Sequence, residues 1–369
     1  MAFVRGIPVG CYPVILNYRH FIAFTRLIYC SQGRCSAEIL IERVYRNGLR
    51  IMDEHELFPQ SSRFPHGFAS SPAFDKETSR GLGAGDNFGD YQLTREIHRG
   101  LSVSVFEAEE GFASRRFALK TLRQPGSAPE GAAAALRLEA EFASRLRHPS
   151  IQKIAGAGDV AGAPYYLMSL QSGLSAESLL GERSGLLDPC ALVELAARFA
   201  SIVDAVAALH RSGIVHRDIH PANILLDAEG RFILSDFGSA LNRGERNLRP
   251  EVEPAGELMY RCPQRLLAGG NHYAPAGDIY SLGLTLYSLL AGRLPFPELG
   301  TEELGKLKLK KEPAALGRVN PLVPLGLESI VRQACEPKSA HRYQDAEDMA
   351  RDLKRFVSRR RRGRSRYAS

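Results

Sequence analysis

The sequence lacks the features that mark secreted and membrane proteins. Its 369 residues include only six cysteines, scattered and without a C-x-x-C pair, so we expect no disulfide scaffold and a reducing, cytoplasmic location. No run of about 18 apolar residues occurs, because the nearest one, residues 13–30, is interrupted by Arg19, His20 and Arg26, which argues against a membrane span. The small-residue cleavage site of a signal peptide is also missing.

The chain also lacks the distributed positive charge of a nucleic-acid-binding protein. Its net charge is +7, but residues 358–369 alone hold six arginines and no acid. Residues 86–357 hold 32 basic and 34 acidic side chains, so we expect no specific nucleic-acid partner. The arginine-rich tail has the charge to contact an anionic surface, and a solvated end is the alternative interpretation.

What is present divides the chain into four parts. Residues 1–57 show no clean hydrophobic period and have no assigned role. Residues 58–89 are rich in Pro, Ser, Gly and Phe, which is typical of a linker. Residues 90–357 carry a regular pattern, and the tail of residues 358–369 follows.

Hydrophobic spacing predicts the elements of the regular part. Residues 115–121 are typical of a strand, and the apolar stripes of residues 132–146 and 191–211 predict helices. Residues 224–234 predict a hairpin, and helix predominates after Asp278. Because strands come first and helices later, we expect an α+β protein with two lobes.

Two short motifs carry the chemistry. The tripeptide HRD at residues 216–218 is followed by Asn223, and the tripeptide DFG lies at residues 236–238, after the predicted hairpin. Two carboxylates and one amide can hold Mg²⁺ and orient a hydroxyl, because magnesium takes oxygen ligands and completes its shell with phosphate oxygens and water. Each tripeptide alone is weak evidence, but the two in this order around a hairpin are specific.

On these motifs, residues 90–357 resemble the eukaryotic-like protein kinase family, of the Ser/Thr type. The resemblance implies a two-lobed protein kinase fold, with a β-rich N-lobe (residues 90–168) that has one helix and a mostly helical C-lobe (residues 172–357). It implies ATP and Mg²⁺ as cofactors and protein Ser/Thr hydroxyls as phosphate acceptors. It does not give the oligomeric state.

The resemblance assigns roles where the residues agree. Asp218 matches the catalytic base that accepts the hydroxyl proton, and Asn223 and Asp236 match the metal ligands. Lys120 matches the lysine that binds the α- and β-phosphates. Glu139 matches the glutamate of the helix that follows that strand.

Further matches concern the base of the nucleotide and the scaffold. Met168 matches the gatekeeper, and Ser169 and Gln171 belong to the hinge that meets adenine through backbone groups. Asp278 matches the buried aspartate that braces the catalytic loop, and Arg342 matches a structural arginine.

The glycine-rich loop departs from the family pattern. Aligning Val105 with the family's valine leaves Gly100 as the only glycine, with His98 and Val103 at the outer glycine positions. Because side chains keep backbone from closing on phosphate as glycine does, we expect weaker ATP affinity with the chemistry retained.

The C-lobe departs at three positions. Gln264 replaces an acid, so we expect a neutral hydrogen bond to Arg342 in place of the family's ion pair. His220 replaces a lysine, and Glu257 stands where Ser/Thr kinases have threonine. A carboxylate close to a histidine favours the charged imidazolium, so we hypothesise that Glu257 keeps His220 protonated.

The activation segment has a related departure. No Ser, Thr or Tyr lies between Ser239 and Tyr260. We hypothesise that Glu251 or Glu253 pairs with Arg217 in place of a phosphate.

Two other functions remain open. The first is a pseudokinase that acts as a nucleotide- or partner-binding scaffold. The second is a small-molecule phosphotransferase, which the long segment of residues 236–264 disfavours because it resembles a peptide-docking activation segment.

Overall fold

The computed structural model describes most of the chain. The described ranges are residues 81–111, 115–171, 173–181, 187–243, 258–267, 274–297 and 299–365, with the strand residues 15–18, 21–27, 37–40 and 70–71. The chain divides into two compact units, Ser62–Val357 and a second unit of Met1–Ser61 with Ser358–Ser369. None of the helices in the described ranges is long and apolar enough to cross a lipid bilayer.

The second unit contains one small antiparallel sheet. Its strands are β1 (Ile15–Tyr18), β2 (Phe21–Leu27) and β3 (Ala37–Leu40), in the order β1-β2-β3. They lie in the part of the sequence that shows no clean hydrophobic period.

The N-lobe of the larger unit is built on a seven-stranded sheet. Its strands are β4 (Ser70–Ser71), β5 (Asn87–Phe88), β6 (Tyr91–Arg99), β7 (Val103–Glu110), β8 (Arg116–Leu122), β9 (Ile154–Val160) and β10 (Ala163–Ser169). Their order is β4-β9-β10-β8-β7-β6-β5, antiparallel throughout except for β4 and β9. Helix α1 (Ala132–Arg145) packs on β8, β9 and β10. It buries Leu136, Ala140 and Ala143, which share one face at helical spacing.

The C-lobe is mostly helical. Its helices are α2 (Ser178–Gly181), α3 (Pro189–Arg211), α4 (Pro263–Leu267), α5 (Pro275–Ala291), α6 (Thr301–Lys310), α7 (Leu316–Val319), α8 (Leu325–Ala334) and α9 (Ala346–Ser365). Short 3₁₀ turns occur at Pro125–Ser127 in the N-lobe and at Pro221–Asn223 and Ser339–His341 here. Every side chain from Asp278 to Ala291 is buried, so α5 is the central helix of the lobe.

Two short strand pairs flank the HRD and DFG motifs. Strand β11 (Ile214–Val215) pairs with β14 (Leu241–Asn242), and β12 (Ile224–Leu226) pairs with β13 (Phe232–Leu234). The HRD motif therefore follows β11, and the DFG motif lies between β13 and β14. These pairs bring two distant motifs to the same place in the fold.

The predicted α+β architecture with a β-rich N-lobe and a helical C-lobe is confirmed. The predicted strand is β8, the predicted helices are α1 and α3, and the predicted hairpin is formed by β12 and β13. The described end of the segment expected as a linker is packed: Leu82 and Phe88 are buried in a cluster on the N-lobe sheet. The composition of this segment did not predict their burial, because the two apolar residues lie among glycines.

Candidate active site

Three charged side chains from separate elements meet in the interior. Lys120 lies on β8, Glu139 on α1, and Asp236 two residues after β13. The Lys120 Nζ donates hydrogen bonds of 2.8 Å to Glu139 Oε1 and of 2.8 Å to Asp236 Oδ1. Tyr166 on β10 donates a further hydrogen bond of 2.8 Å to Glu139 Oε1. The fold thus brings together three predicted site residues, of which Lys120 and Asp236 are 116 positions apart.

Burial and charge act in opposite directions on this cluster. Burial disfavours the ammonium of Lys120, but the carboxylates of Asp236 and Glu139 outweigh it and hold the pKa of Lys120 well above the ordinary value. Burial also disfavours ionised Asp236, but Lys120 and the N–H of Gly238 hold the pKa of that carboxyl below its ordinary value. Both groups are therefore charged at neutral pH. The Asp236 side chain is 43% exposed, whereas that of Lys120 is 6% exposed, so Asp236 lies at the open side of the cluster.

Asp218, Asn223 and His220 form a second group. The Asn223 Nδ2 donates hydrogen bonds to the Asp218 carbonyl oxygen at 2.9 Å and to Asp218 Oδ2 at 3.1 Å. His220 Nε2 lies 3.6 Å from Asp218 Oδ2. Burial disfavours ionised Asp218, but His220 outweighs both burial and the charge of Asp236, so the pKa of Asp218 lies below its ordinary value. Asp218 is therefore an oriented carboxylate.

Asp278 holds the turn that carries this group. Its Oδ2 accepts a hydrogen bond from the His216 backbone N–H at 2.8 Å, and its Oδ1 accepts one from the Arg217 N–H at 2.7 Å. His210 Nε2 lies 2.9 Å from the same Oδ2. Arg217 has a φ of 70°, a left-handed conformation that is costly for a residue other than glycine. The hydrogen bonds offset that strain, and the prediction that Asp278 braces the catalytic loop is confirmed.

The turn between β6 and β7 carries the predicted phosphate loop. Val105 pairs with His98 across the two strands and with Lys120 on β8. The Gly100 N–H donates to the Val103 carbonyl at 2.8 Å, and a Cβ on Gly100 would lie 3.0 Å from that oxygen. The backbone therefore closes on itself at Gly100, where only glycine avoids a tight contact.

The side chain of Gln152, which no sequence motif identifies, forms hydrogen bonds with the predicted hinge. Gln152 Nε2 donates to the Ser169 carbonyl oxygen at 2.7 Å. Gln171 Nε2 donates to Ser169 Oγ at 2.9 Å and to Gln152 Oε1 at 3.2 Å. Gln152 is buried and is not among the predicted site residues, because a single glutamine after an apolar residue indicates nothing by itself. Met168 is also buried and pairs with Ala118 on β8.

Gln264 replaces an ion pair with a neutral contact. Arg342 Nη2 donates to Gln264 Oε1 at 3.0 Å. The guanidinium of Arg342 also donates to the carbonyls of Ala276, Glu336 and Pro337. The prediction of a neutral hydrogen bond at this position is confirmed.

Tyr260 packs on the loop that carries Asp218 and His220. Its ring stacks on that of His220 with centroids 6.1 Å apart and planes at 28°. Tyr260 was not among the predicted site residues, because a stacking partner has no fixed spacing in sequence. The hypothesised partners Glu251, Glu253 and Glu257 lie outside the described residues.

The donor atoms fit a magnesium ion. Both described hydrogen bonds to Asp236, from Lys120 and from the Gly238 N–H at 3.0 Å, use Oδ1. Asn223 turns its Nδ2 toward Asp218, so its Oδ1 is the atom that it offers to a metal. Carboxylate and amide oxygens suit magnesium. In the described ranges no group of three or more His, Cys, Asp or Glu could hold a metal ion alone, so phosphate oxygens and water would complete the shell.

Comparison with known proteins identifies the family of this chain. A family model for the protein kinase domain matches residues 91–359. Serine/threonine-protein kinase PrkC of Bacillus subtilis (strain 168) is 33% identical over 266 residues, which cover 72% of this chain and 40% of that protein. Serine/threonine-protein kinase PknD of Mycobacterium tuberculosis (strain H37Rv) is 31% identical over 267 residues, covering 72% and 39%.

A solved structure shows the same fold. The crystal structure of the Mycobacterium tuberculosis PknI kinase domain has a TM-score of 0.55 and 23% sequence identity, covering 74% of this chain and 99% of that chain. At this identity the likeness concerns the fold alone. The chain spans about two-fifths of the length of the curated relatives it matches.

Proposed function

The chain belongs to the eukaryotic-like protein kinase family, and from this membership we propose that it transfers the γ-phosphate of ATP to Ser and Thr hydroxyls of proteins. The observation that supports this best is the charged Lys120–Glu139–Asp236 cluster. It offers a cation to the phosphates and a carboxylate to the metal, while the ionised Asp218 offers a base.

Asp218 acts as the base in this proposal. One of its carboxylate oxygens would take the proton of the acceptor hydroxyl as the oxygen attacks the γ-phosphorus. Asn223 orients Asp218 through two hydrogen bonds. Asn223 Oδ1 and Asp236 Oδ2 would hold Mg²⁺, which when bound neutralises charge on the phosphates.

The N-lobe binds the nucleotide in this proposal. Lys120 would pair with the α- and β-phosphates, and Glu139 keeps its ammonium in place. The turn with His98, Gly100 and Val105 would cover the phosphates and the base. The backbone of the hinge residues 169–171 would bind adenine, and His220 would lie near the γ-phosphate.

The choice of Ser and Thr over Tyr rests on the catalytic loop. The pattern Pro221-x-Asn223 is typical of Ser/Thr kinases in the family the chain resembles, and the loop forms a 3₁₀ turn at Pro221–Asn223. The pseudokinase alternative predicts nucleotide or partner binding without transfer.

A phosphoryl-transfer assay tests the proposal. We expect the wild-type chain to transfer labelled γ-phosphate to histone with Mg²⁺ and ATP, with the label on Ser and Thr. Asp218→Asn keeps the shape but cannot take the proton, so we expect transfer to fall about 10²–10⁴-fold with nucleotide affinity retained. The matched control is Asp204→Asn, a surface carboxylate on α3 that pairs with Lys354, which should keep full activity. Nucleotide binding without transfer by the wild type would establish the pseudokinase instead.

A further inference from the structure

Lys308 on α6 is a lysine with no contact to water. Its side chain is 0% exposed. Its Nζ lies 2.7 Å from the Met259 carbonyl oxygen, 2.8 Å from that of Arg261 and 3.3 Å from that of Leu258. The described acceptors are thus three backbone carbonyls and no carboxylate. Burying an ammonium costs free energy, so this arrangement calls for an explanation beyond packing.

The carbonyls that bind Lys308 belong to residues 258–267. This range overlaps residues 236–264, which resemble a peptide-docking activation segment, and we call residues 258–267 the docking segment. They lie on both sides of Tyr260, whose ring stacks on His220. His220 Nε2 in turn lies 3.6 Å from Asp218 Oδ2. A continuous chain of contacts therefore connects the Lys308 ammonium to the carboxylate of the proposed base.

The close packing of α6 against α4 places Lys308 next to the docking segment. A Cβ on Gly305 would lie 3.0 Å from the Leu267 side chain, so the glycine lets α6 come close to α4. Lys308 follows Gly305 by three residues and so shares its face of the helix. The rings of Tyr280 and Phe296 lie 5.7 Å and 5.5 Å from the Nζ and enclose it.

We propose that Lys308 is a positioning residue for protein-substrate docking, whose ammonium fixes the backbone on both sides of Tyr260. This inference rests on the proposed kinase function of the same site. It goes further by naming a residue that sets affinity for the protein substrate and leaves affinity for ATP unchanged.

The effect of Lys308 on substrate docking depends on pH, because protonation changes the number of N–H donors on its side chain. An ammonium has three N–H donors and a neutral amine has two, so loss of the proton releases one of the three carbonyls and weakens the others. Burial lowers the pKa of Lys308 to about 7, and the positive charge of Arg261 lowers it further. We therefore expect docking to be tight below about pH 7 and weaker above it.

Four other titratable or charged side chains face Lys308, namely Cys262, Cys335, Tyr280 and Arg261. Burial raises the pKa of the Cys335 thiol and that of the Tyr280 phenol, so both stay neutral through the range. Arg261 remains charged. The Cys262 thiol faces Lys308 from the docking segment, and loss of the pH dependence in Cys262→Ser would assign that dependence to the thiol and overturn the inference.

Steady-state kinetics of the full chain with histone as acceptor tests the inference. In the wild type we expect the KM for histone to rise about tenfold between about pH 6.5 and about pH 8.5, with the KM for ATP unchanged. Lys308→Met should raise the KM for histone about tenfold at pH 6.5 and remove its pH dependence, whereas Lys308→Arg should keep it low throughout. Lys306→Met, an exposed lysine on the same helix, is the matched control and should behave as wild type.

Hydrogen exchange of the nucleotide-free chain decides the question even if no phosphate is transferred. We expect faster amide exchange in residues 258–267 of Lys308→Met than of Lys306→Met, with the hinge unchanged. A uniform increase over the C-lobe would mean a structural role only and would overturn the inference. So would a Lys308→Met enzyme with the wild-type KM for histone and the wild-type pH profile. Absence of transfer in the wild type overturns the proposed function, while the exchange result still stands or falls by itself.

Discussion

Lys120 is held between two carboxylates, and the two contacts have different consequences. Its partner Glu139 is buried, whereas Asp236 lies at the open side of the cluster. Removing the lysine leaves Glu139 as a buried charge without its cation, which is among the more costly changes a protein interior can undergo. Removing the charge of Asp236 leaves the buried Lys120–Glu139 pair intact.

We therefore predict that Lys120→Met and Asp236→Asn both abolish phosphoryl transfer but differ in stability. Lys120→Met should lower the free energy of unfolding by about 3 kcal/mol or more, and Asp236→Asn by less than about 1 kcal/mol. Urea denaturation followed by circular dichroism measures the difference, and the histone assay measures activity. Equal stability of the two variants, or transfer by either above background, would contradict this picture.

Single residues also show how far the sequence predicts the site. Lys120, Asp218, Asn223 and Asp236 stand in motifs whose spacing is fixed, so they could be found without a structure. Gln152 could not, because it lies outside the strands while its partner Ser169 ends β10, and a hydrogen bond between an amide and a carbonyl leaves no pattern.

At the scale of the element, the backbone of the loop that carries Asp218 is held in place by one tautomer of His216. Its Nε2 donates to the Ser235 carbonyl oxygen at 3.2 Å, and its Nδ1 accepts a hydrogen bond from the Asp218 N–H at 3.3 Å. The neutral ring therefore satisfies both nitrogens. Burial lowers the pKa of His216, and the nearby carboxylates of Asp278 and Asp218 oppose this only in part. A proton on Nδ1 would displace the backbone of the proposed base.

The expected consequence is a loss of stability in mild acid. Below about pH 6.5 the unfolded chain binds a proton at this histidine that the folded chain does not, so the free energy of unfolding falls as pH falls. The slope for one proton is at most about 1.4 kcal/mol per pH unit. Urea unfolding between about pH 7 and about pH 5 should show this slope, and His216→Phe should reduce it.

A second histidine limits the size of the change. His148 also has a pKa lowered by burial, so part of the slope should remain in His216→Phe. A His216→Phe chain with the full wild-type slope would exclude His216 as the source.

The helices and strands themselves were predictable where their hydrophobic period was strong. Helix α3 shows an apolar stripe, a capping Asp188 that accepts from the N–H groups of Cys190 and Ala191, and Gly213 beyond its end. Strands β6 and β7 were not predicted, because β6 exposes residues on both faces and so lacks the alternation that marks a strand.

At the scale of the whole molecule, the boundary of the larger unit follows the buried side chains. The unit begins at Ser62, well before the start of the kinase-like pattern. Leu82 is 5% exposed in the cluster that covers the N-lobe sheet, and its N–H donates to the Arg123 carbonyl at 3.2 Å. At the other end, Leu353 and Val357 are the last buried residues of α9 among the described side chains.

We predict that a chain of residues 86–357 is less stable than one of residues 62–357 by about 2–3 kcal/mol. Most of the loss arises because the shorter chain exposes the surface that Leu82 covers, and burying a leucine contributes about 1.5–3 kcal/mol. The shorter chain also lacks β4, which pairs with β9. Leu82→Ala in the longer chain should reproduce most of it, since large-to-small changes in a core cost about 2–5 kcal/mol. Urea unfolding of the three chains at one pH makes the comparison. If residues 86–357 prove as stable as residues 62–357, Leu82 contributes nothing to the N-lobe core, and the segment before β5 is a linker as its composition suggested.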